Sequence, residues 1–112
     1  MIPMKSTITA KTVARYVVEQ IMVETPLERE LRLETLKLPN HGMISSSDVG
    51  ALLALLVRSI GARRALEIGT FTGYTALKIA SALPSGALVI TTPTAVPTLP
   101  ISVDRDSVVV VE

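Results

Sequence analysis

Hydrophobic and polar positions alternate along this chain with two different periods, and the change of period divides it. From Ile8 to Glu24, Val13, Val17 and Ile21 recur at i, i+4 and i+8 with Val18 beside them. Lys11, Arg15 and Glu19 lie opposite, so the spacing predicts an amphipathic helix. A second helix is predicted over 26–38. Thr25 is its N-cap, Pro26 its first residue, and Glu28 the partner that completes a capping box. Leu27, Leu31 and Leu38 share one face of it, and Glu28, Arg29, Glu30, Arg32, Glu34 and Lys37 read as a solvated face. A third helix, over 46–60, carries the most regular pattern: Val49, Leu52, Leu53, Leu56, Val57 and Ile60. A serine caps it, Asp48 occupies its first turn, and Gly61 ends it.

The period then shortens. Arg64 to Ile68 and Ala87 to Thr92 are short apolar runs of strand length, and the stretch between them, from 73 to 83, is helical in pattern. Strand, helix and strand in this order predict a parallel βαβ unit. Gly69-Thr70-Phe71-Thr72-Gly73 joins the first strand to the helix. Such a turn places a helix N-terminus and its backbone N–H groups above the end of a strand, the usual place for a nucleotide-like ligand in an open α/β sheet. Gly69 allows a ligand to approach the backbone, and Glu67 stands where its carboxylate can accept hydrogen bonds. The dinucleotide fingerprint G-x-G-x-x-G fails, because Phe71 stands where its second glycine belongs.

The string Glu67-Ile68-Gly69-Thr70-Phe71-Thr72-Gly73-Tyr74-Thr75 resembles the first motif of the S-adenosylmethionine-dependent O-methyltransferases of the caffeoyl-CoA/catechol type. Lys5-Ser6, Tyr16-Val17-Val18-Glu19 and Met43 to Gly50 keep the order and approximate spacing of that family's N-terminal helices. The resemblance spans residues 5 to 92. It implies an α/β, partial Rossmann-like class I methyltransferase fold: N-terminal helices, a βαβ unit and a C-terminal edge strand. It also implies S-adenosylmethionine as cofactor, with Met43, Ser45, Glu67, Gly69, Thr70 and Thr75 in contact with it, and a substrate contact at Lys5. From the residues alone, Met43 also reads as core packing and Ser45 as a helix cap.

Two departures limit what the resemblance carries. The family ends its second strand with an acidic residue that holds the ribose hydroxyls, and here that position is Pro93. The family's divalent-metal ligands belong to a segment with no counterpart here. Asp104 and Asp106 match none of its motifs and read as turn residues, and His41 has no partner at ligand spacing. No catalytic or metal-binding residue is therefore expected, and the chain reads as a truncated or internally deleted family member.

Residues 1–92 form the methyltransferase part, and 93–112 a connector followed by a terminal strand. Pro93, Pro97 and Pro100 forbid a helix there. Leu99-Pro100-Ile101 with the strand Val108 to Val111 fits either the family's closing hairpin or an unrelated tail. In the family's sheet the first strand lies between the second and the fourth. The fourth is missing here, and the terminal strand is a candidate to fill the gap in the same chain or in a second copy. The stiff connector favours the second copy.

Composition adds a few bounds. The 112 residues suffice for one small domain. They are 48% hydrophobic and 3% aromatic, so the core must be aliphatic. A net charge of +1 argues against nucleic acid as a partner. There is no cysteine, hence no disulfide and no thiolate metal site. The longest apolar run, Ala51 to Val57, falls short of the ~20 residues of a membrane span, and the N-terminus lacks a signal-peptide pattern. A cytoplasmic protein is the expectation. A mean hydropathy of +0.49 points to apolar surface covered by a partner, and so to a homodimer or higher oligomer; a non-catalytic self-association module is the alternative function.

Overall fold

The computed structural model describes residues 9–21, 24–93 and the backbone of 107–111. Four helices and a three-stranded parallel sheet follow in the order α1 (Lys11–Tyr16, continued by a wider π-helical turn Val17–Ile21), α2 (Pro26–Thr35), a 3-10 turn (His41–Met43), α3 (Ser47–Ser59), β1 (Arg64–Ile68), α4 (Tyr74–Ala82), β2 (Leu88–Thr92) and β3 (Ser107–Val111). The fold is α/β, as the periods predict.

The sheet order is β2-β1-β3, with β1 in the middle. Arg64 to Ile68 pair in parallel with Leu88 to Thr92 on one side and with Ser107 to Val111 on the other. The terminal strand thus fills the open edge of β1 within the same chain, against the expectation that the proline-rich connector favours a second copy. The connector and the Leu99-Pro100-Ile101 segment lie outside the described residues.

Among the described residues the core is rich in alanine. Ala54 and Val57 of α3, Ala62, Ala65 of β1, and Ile79 and Ala82 of α4 form one buried cluster, with Leu83 and Val89 packed at its margin. Short side chains let helices and strand approach closely. Gly50 extends this economy to the α3–α4 contact, since a Cβ there would lie 3.1 Å from Lys78 Cγ and 3.3 Å from the Tyr74 ring.

The N-terminal helices differ from the expectation in which face they bury. On α1 the buried residue is Ala14, while Val13 and Ile21 of the predicted stripe are exposed, and the regular helix ends well before Glu24. On α3 the inward stripe is Ser47, Gly50, Ala54 and Val57, at i, i+3, i+7 and i+10. Val49, Leu52, Leu56 and Ile60 of the predicted stripe stay about half exposed. Ser46 is the N-cap residue of α3, but its side chain makes no capping hydrogen bond. The stretch His41–Ser59 is long and apolar enough to cross a membrane by length and composition, yet α3 within it packs against α4.

Helix α2 has the expected Thr25 cap and capping box, with Glu28 N–H donating to Thr25 Oγ1 at 3.3 Å and Thr25 N–H donating to Glu28 Oε2 at 2.9 Å. It ends at Thr35 rather than 38. Its orientation reverses the expectation: Leu27 and Leu38 are exposed, and the buried residues are Glu28, Arg32 and Thr35, at 3%, 4% and 1% exposure. Two members of the charge run read as a solvated face are therefore interior. Each can be interior because it meets a partner there, Lys78 for Glu28 and Glu24 with the Ser45 carbonyl for Arg32, so neither charge is buried alone.

Candidate functional site

At the C-terminal end of β1 the chain turns through Gly69 (φ 106°), Phe71 (φ 46°) and Gly73 (φ 90°) into α4. Gly73 N–H donates to Thr70 C=O at 2.8 Å, closing the turn, and Gly73 is the N-cap residue of α4. Phe71, where the dinucleotide fingerprint would have a glycine, does adopt a left-handed conformation. A side chain there costs on the order of 1 kcal/mol, a strain typical of ligand sites.

An open cleft lies between this turn and the segment that precedes α3. Met43, Ile44 and Ser45 form one wall, and Thr70, Phe71, Thr72, Tyr74 and Thr75 the other. The cleft is shallow: its enclosed space is about 10 Å³, far below the ~300–1,000 Å³ of sites that enclose a drug-sized ligand, so it can meet a polar end group of a ligand and not the whole molecule.

Four of the expected residues meet here: Met43, Ser45, Thr70 and Thr75. Thr75 Oγ1 donates to Ser45 Oγ at 3.0 Å and joins the two walls. Met43 is 60% exposed, with Asn40 Nδ2 donating to its sulfur at 3.7 Å, so the core-packing alternative for it fails. Glu67 and Gly69 do not line the cleft. Glu67 is fully buried under it, its Oε1 accepting from Thr91 Oγ1 at 2.5 Å, and Thr91 Oγ1 lies 2.7 Å from Thr70 Oγ1. The Gly69 and Thr70 N–H groups both donate to Thr92 C=O, at 2.8 and 2.9 Å. These two amides tie the turn to the end of β2. Lys5 lies outside the described residues. Pro93, which directly follows β2, has neither carboxylate nor N–H to offer at the position where the resemblance implies an acidic residue.

Sequence reasoning missed the layer behind the cleft. Arg32 Nε donates to Glu24 Oε1 at 2.5 Å, and Tyr74 O–H donates to the same oxygen at 2.6 Å. The Arg32 guanidinium lies over the Tyr74 ring, 4.3 Å from its centroid, and Arg32 Nη2 donates to Ser45 C=O at 2.8 Å. Lys78 Nζ pairs with Glu28 Oε2 at 2.9 Å. Thr35 Oγ1 donates to Leu31 C=O at 2.7 Å and lies 2.9 Å from Thr72 Oγ1. The available signal was the polar stripe Glu28, Arg32, Thr35 at i, i+4 and i+7, the same spacing that marks a buried apolar face.

These contacts shift the groups that make them. Burial and the hydrogen bond to Glu24 push the Tyr74 phenol above its ordinary range. Burial weighs against the charged Arg32, but its hydrogen bonds to Glu24 and Tyr74 outweigh it and raise its affinity for the proton. Burial likewise opposes the Glu28 carboxylate, yet the Thr25 amide and Lys78 hold it below the usual carboxylate range.

Among the described residues, no group of three or more His, Cys, Asp or Glu is gathered to hold a metal ion. The divalent metal that the resemblance implies therefore has no fitting site in them. The donor set of the cleft is different: neutral hydroxyls around a helix N-terminus, suited to the carboxylate and ammonium of an amino acid.

Known proteins resemble the chain in sequence and in structure. The family model for O-methyltransferases matches residues 18–98. Catechol O-methyltransferase domain-containing protein 1 of Mus musculus is 44% identical over 77 residues, covering 69% of this chain and 29% of that protein. A probable caffeoyl-CoA O-methyltransferase of Arabidopsis thaliana is 34% identical over 88 residues, covering 77% and 38%. Among solved structures, the O-methyltransferase TomG from Streptomyces achromogenes, in complex with SAM, matches with a TM-score of 0.62 at 34% identity, over 71% of this chain and 36% of that one. The O-methyltransferase from Bacillus cereus in complex with SAH matches with a TM-score of 0.63 at 34% identity and the same coverage. The chain spans about a third of the length of these relatives. Their fold is the Rossmann-like class I methyltransferase fold, and the sheet and helices of this chain are part of it. Residues 18–98 hold the whole cleft and the helix α2 behind it, and by that match the chain belongs to the O-methyltransferase family.

Proposed function

We propose that the chain binds the amino-acid end of S-adenosylmethionine in the cleft between Met43–Ser45 and Thr70–Thr75, and that it does not by itself complete methyl transfer. The observation that carries the reading is the joining of the two walls by Thr75 and Ser45 at the N-terminus of α4. Bound there, the cofactor supplies an electrophilic sulfonium methyl group. Ser45, Thr70 and Thr75 meet its carboxylate and ammonium, Met43 covers its aliphatic part, and Glu67 supports Thr70 from below through Thr91. Pro93 leaves the ribose without its acidic partner, and the described residues offer no metal site. The adenosine end therefore contributes little affinity.

Calorimetric titration with S-adenosylhomocysteine tests this. A dissociation constant in the high micromolar to millimolar range is expected, equivalent to about 4–6 kcal/mol. Methionine should compete for the site and 5′-methylthioadenosine should not. A sub-micromolar constant, or competition by the nucleoside alone, would contradict the assignment. No metal-dependent methylation of a catechol above the uncatalysed background is expected from the chain alone, because groups that act as a unit leave little rate when some are missing.

The proposal extends to self-association. Leu52, Leu55, Leu56 and Ile60 of α3 are 49–59% exposed, an apolar face a monomer must leave in water. With β3 paired inside the chain, a homodimer would form through this face rather than through the terminal strand. Light scattering at tens of micromolar should give a mass above the monomer's, and Leu52→Ser with Leu56→Ser should lower it. A monomeric mass for the unaltered chain would end this part of the reading.

A further inference from the structure

Helix α2 turns a polar stripe inward while Leu27 and Leu33 face solvent. A buried ion pair is a poor way to gain stability, since apolar residues of similar size do as well or better. What the stripe does achieve is geometric. Arg32 reaches the backbone of Ser45, and Thr35 reaches the hydroxyl of Thr72. Ser45 and Thr72 stand on opposite walls of the cleft. Ser45 lies outside regular structure, between the 3-10 turn and α3.

We infer that Arg32 and Thr35 are positioning residues that set the two walls of the cleft at one distance and one orientation. Arg32 is itself fixed on three sides, by the Glu24 carboxylate, by the Tyr74 ring and by the Ser45 carbonyl. Held this way, its planar fork fixes the Ser45 backbone while Thr75 fixes the Ser45 hydroxyl. Thr35 is anchored to the Leu31 carbonyl and holds Thr72. One rigid helical turn of α2 thus clamps two loops from different parts of the chain. The ligand class rests on the proposed function: the carboxylate and ammonium of the amino-acid moiety, whose recognition depends on hydroxyl positions to within a fraction of an ångström.

The test uses the full chain with two alterations. One is the paired Glu24→Gln and Arg32→Met change, which removes both charges and leaves neither buried alone. The other is Thr35→Val, a small change that keeps the helix. Three-bond couplings report the side-chain rotamers of Ser45 and Thr72 by NMR, and S-adenosylhomocysteine titration reports the site. In the paired variant the Ser45 couplings should move toward rotamer averaging, and the dissociation constant should rise about tenfold. In Thr35→Val the Thr72 couplings should average, and the constant should rise about threefold. Arg32→Lys, which keeps the charge but not the fork, should fall between the unaltered chain and the paired variant. If the paired variant does not fold, Thr35→Val decides. Unchanged couplings in a folded variant would overturn the inference. Failure of the unaltered chain to bind S-adenosylhomocysteine would overturn the cofactor assignment instead, and the couplings would still decide whether Arg32 and Thr35 position the walls.

Discussion

The Arg32 guanidinium carbon lies 4.3 Å from the centroid of the Tyr74 ring, and both side chains converge on one oxygen of Glu24. This contact binds α2 to the first turn of α4, and so couples a helix in the first third of the chain to the glycine turn. The pairing combines a cation–π contact with charge-assisted hydrogen bonds in a nearly water-free place. Burial and the Glu24 carboxylate push the Tyr74 phenol up, against the opposite pull of Arg32.

The first prediction follows from that phenol. Its folded-state pKa lies above the ordinary 10.0, so the neutral form favours the folded state. This contribution is fully present below pH 10 and is lost as the pH rises beyond it, where only the unfolded chain releases the proton readily. Denaturant titrations should show stability falling above pH 10. Tyr74→Phe should flatten that limb while lowering the neutral-pH stability by about 1 kcal/mol, the value of a hydrogen bond. An alkaline limb equally steep in Tyr74→Phe would show that another group governs it.

Glu28 gives the opposite dependence. Its folded-state pKa is depressed below the ordinary 4.5, so its contribution is complete above pH 4.5 and is lost as the pH falls through the folded value. Acid unfolding should begin below pH 4.5 and be blunted in Glu28→Gln, which keeps the capping hydrogen bond but not the attraction to Lys78. Circular dichroism against pH in both chains measures this. Superimposable acid limbs would contradict it.

Gly50 supplies a packing test. A Cβ there would press on Tyr74 and Lys78, the two α4 residues that hold the polar layer together. Gly50→Val should destabilise the fold by about 2 kcal/mol through overpacking and separation of α3 from α4. It should also weaken Arg32–Tyr74 stacking, visible as a change in the ring-current shifts of the Arg32 side chain. Retention of the parent melting temperature would show that α3 is free to slide.

The βαβ unit was legible in the sequence because its signals are local. Two strand-length apolar runs flank a glycine-bounded turn, and the resulting β1 spans the same residues, 64–68, as its pattern. The cleft was half legible: Met43, Ser45, Thr70 and Thr75 meet, while Glu67 and Gly69 lie behind the surface. The faces of the N-terminal helices were not legible. Each of α2 and α3 carries two stripes of helical period, and periodicity cannot say which one turns inward. On α3 the close approach of α4 selects the small residues Gly50 and Ala54 over Leu52 and Leu56. On α2 the partners that make Glu28 and Arg32 interior, Lys78, Glu24 and the Ser45 carbonyl, lie up to 50 residues away. No local rule sees such distant compensation.

On the proposed reading, the cleft takes the amino-acid end of the cofactor. The most direct measurement is a titration of the isotopically labelled chain with S-adenosylhomocysteine, followed by amide and side-chain NMR shifts. Saturable shifts are expected at Ser45, Thr70, Thr72 and Thr75, reproduced by methionine, with Leu88 to Ile90 on the far half of β2 unmoved. Shifts centred on β2 and absent from Ser45 and Thr75, or no saturable shift at millimolar ligand, would contradict it.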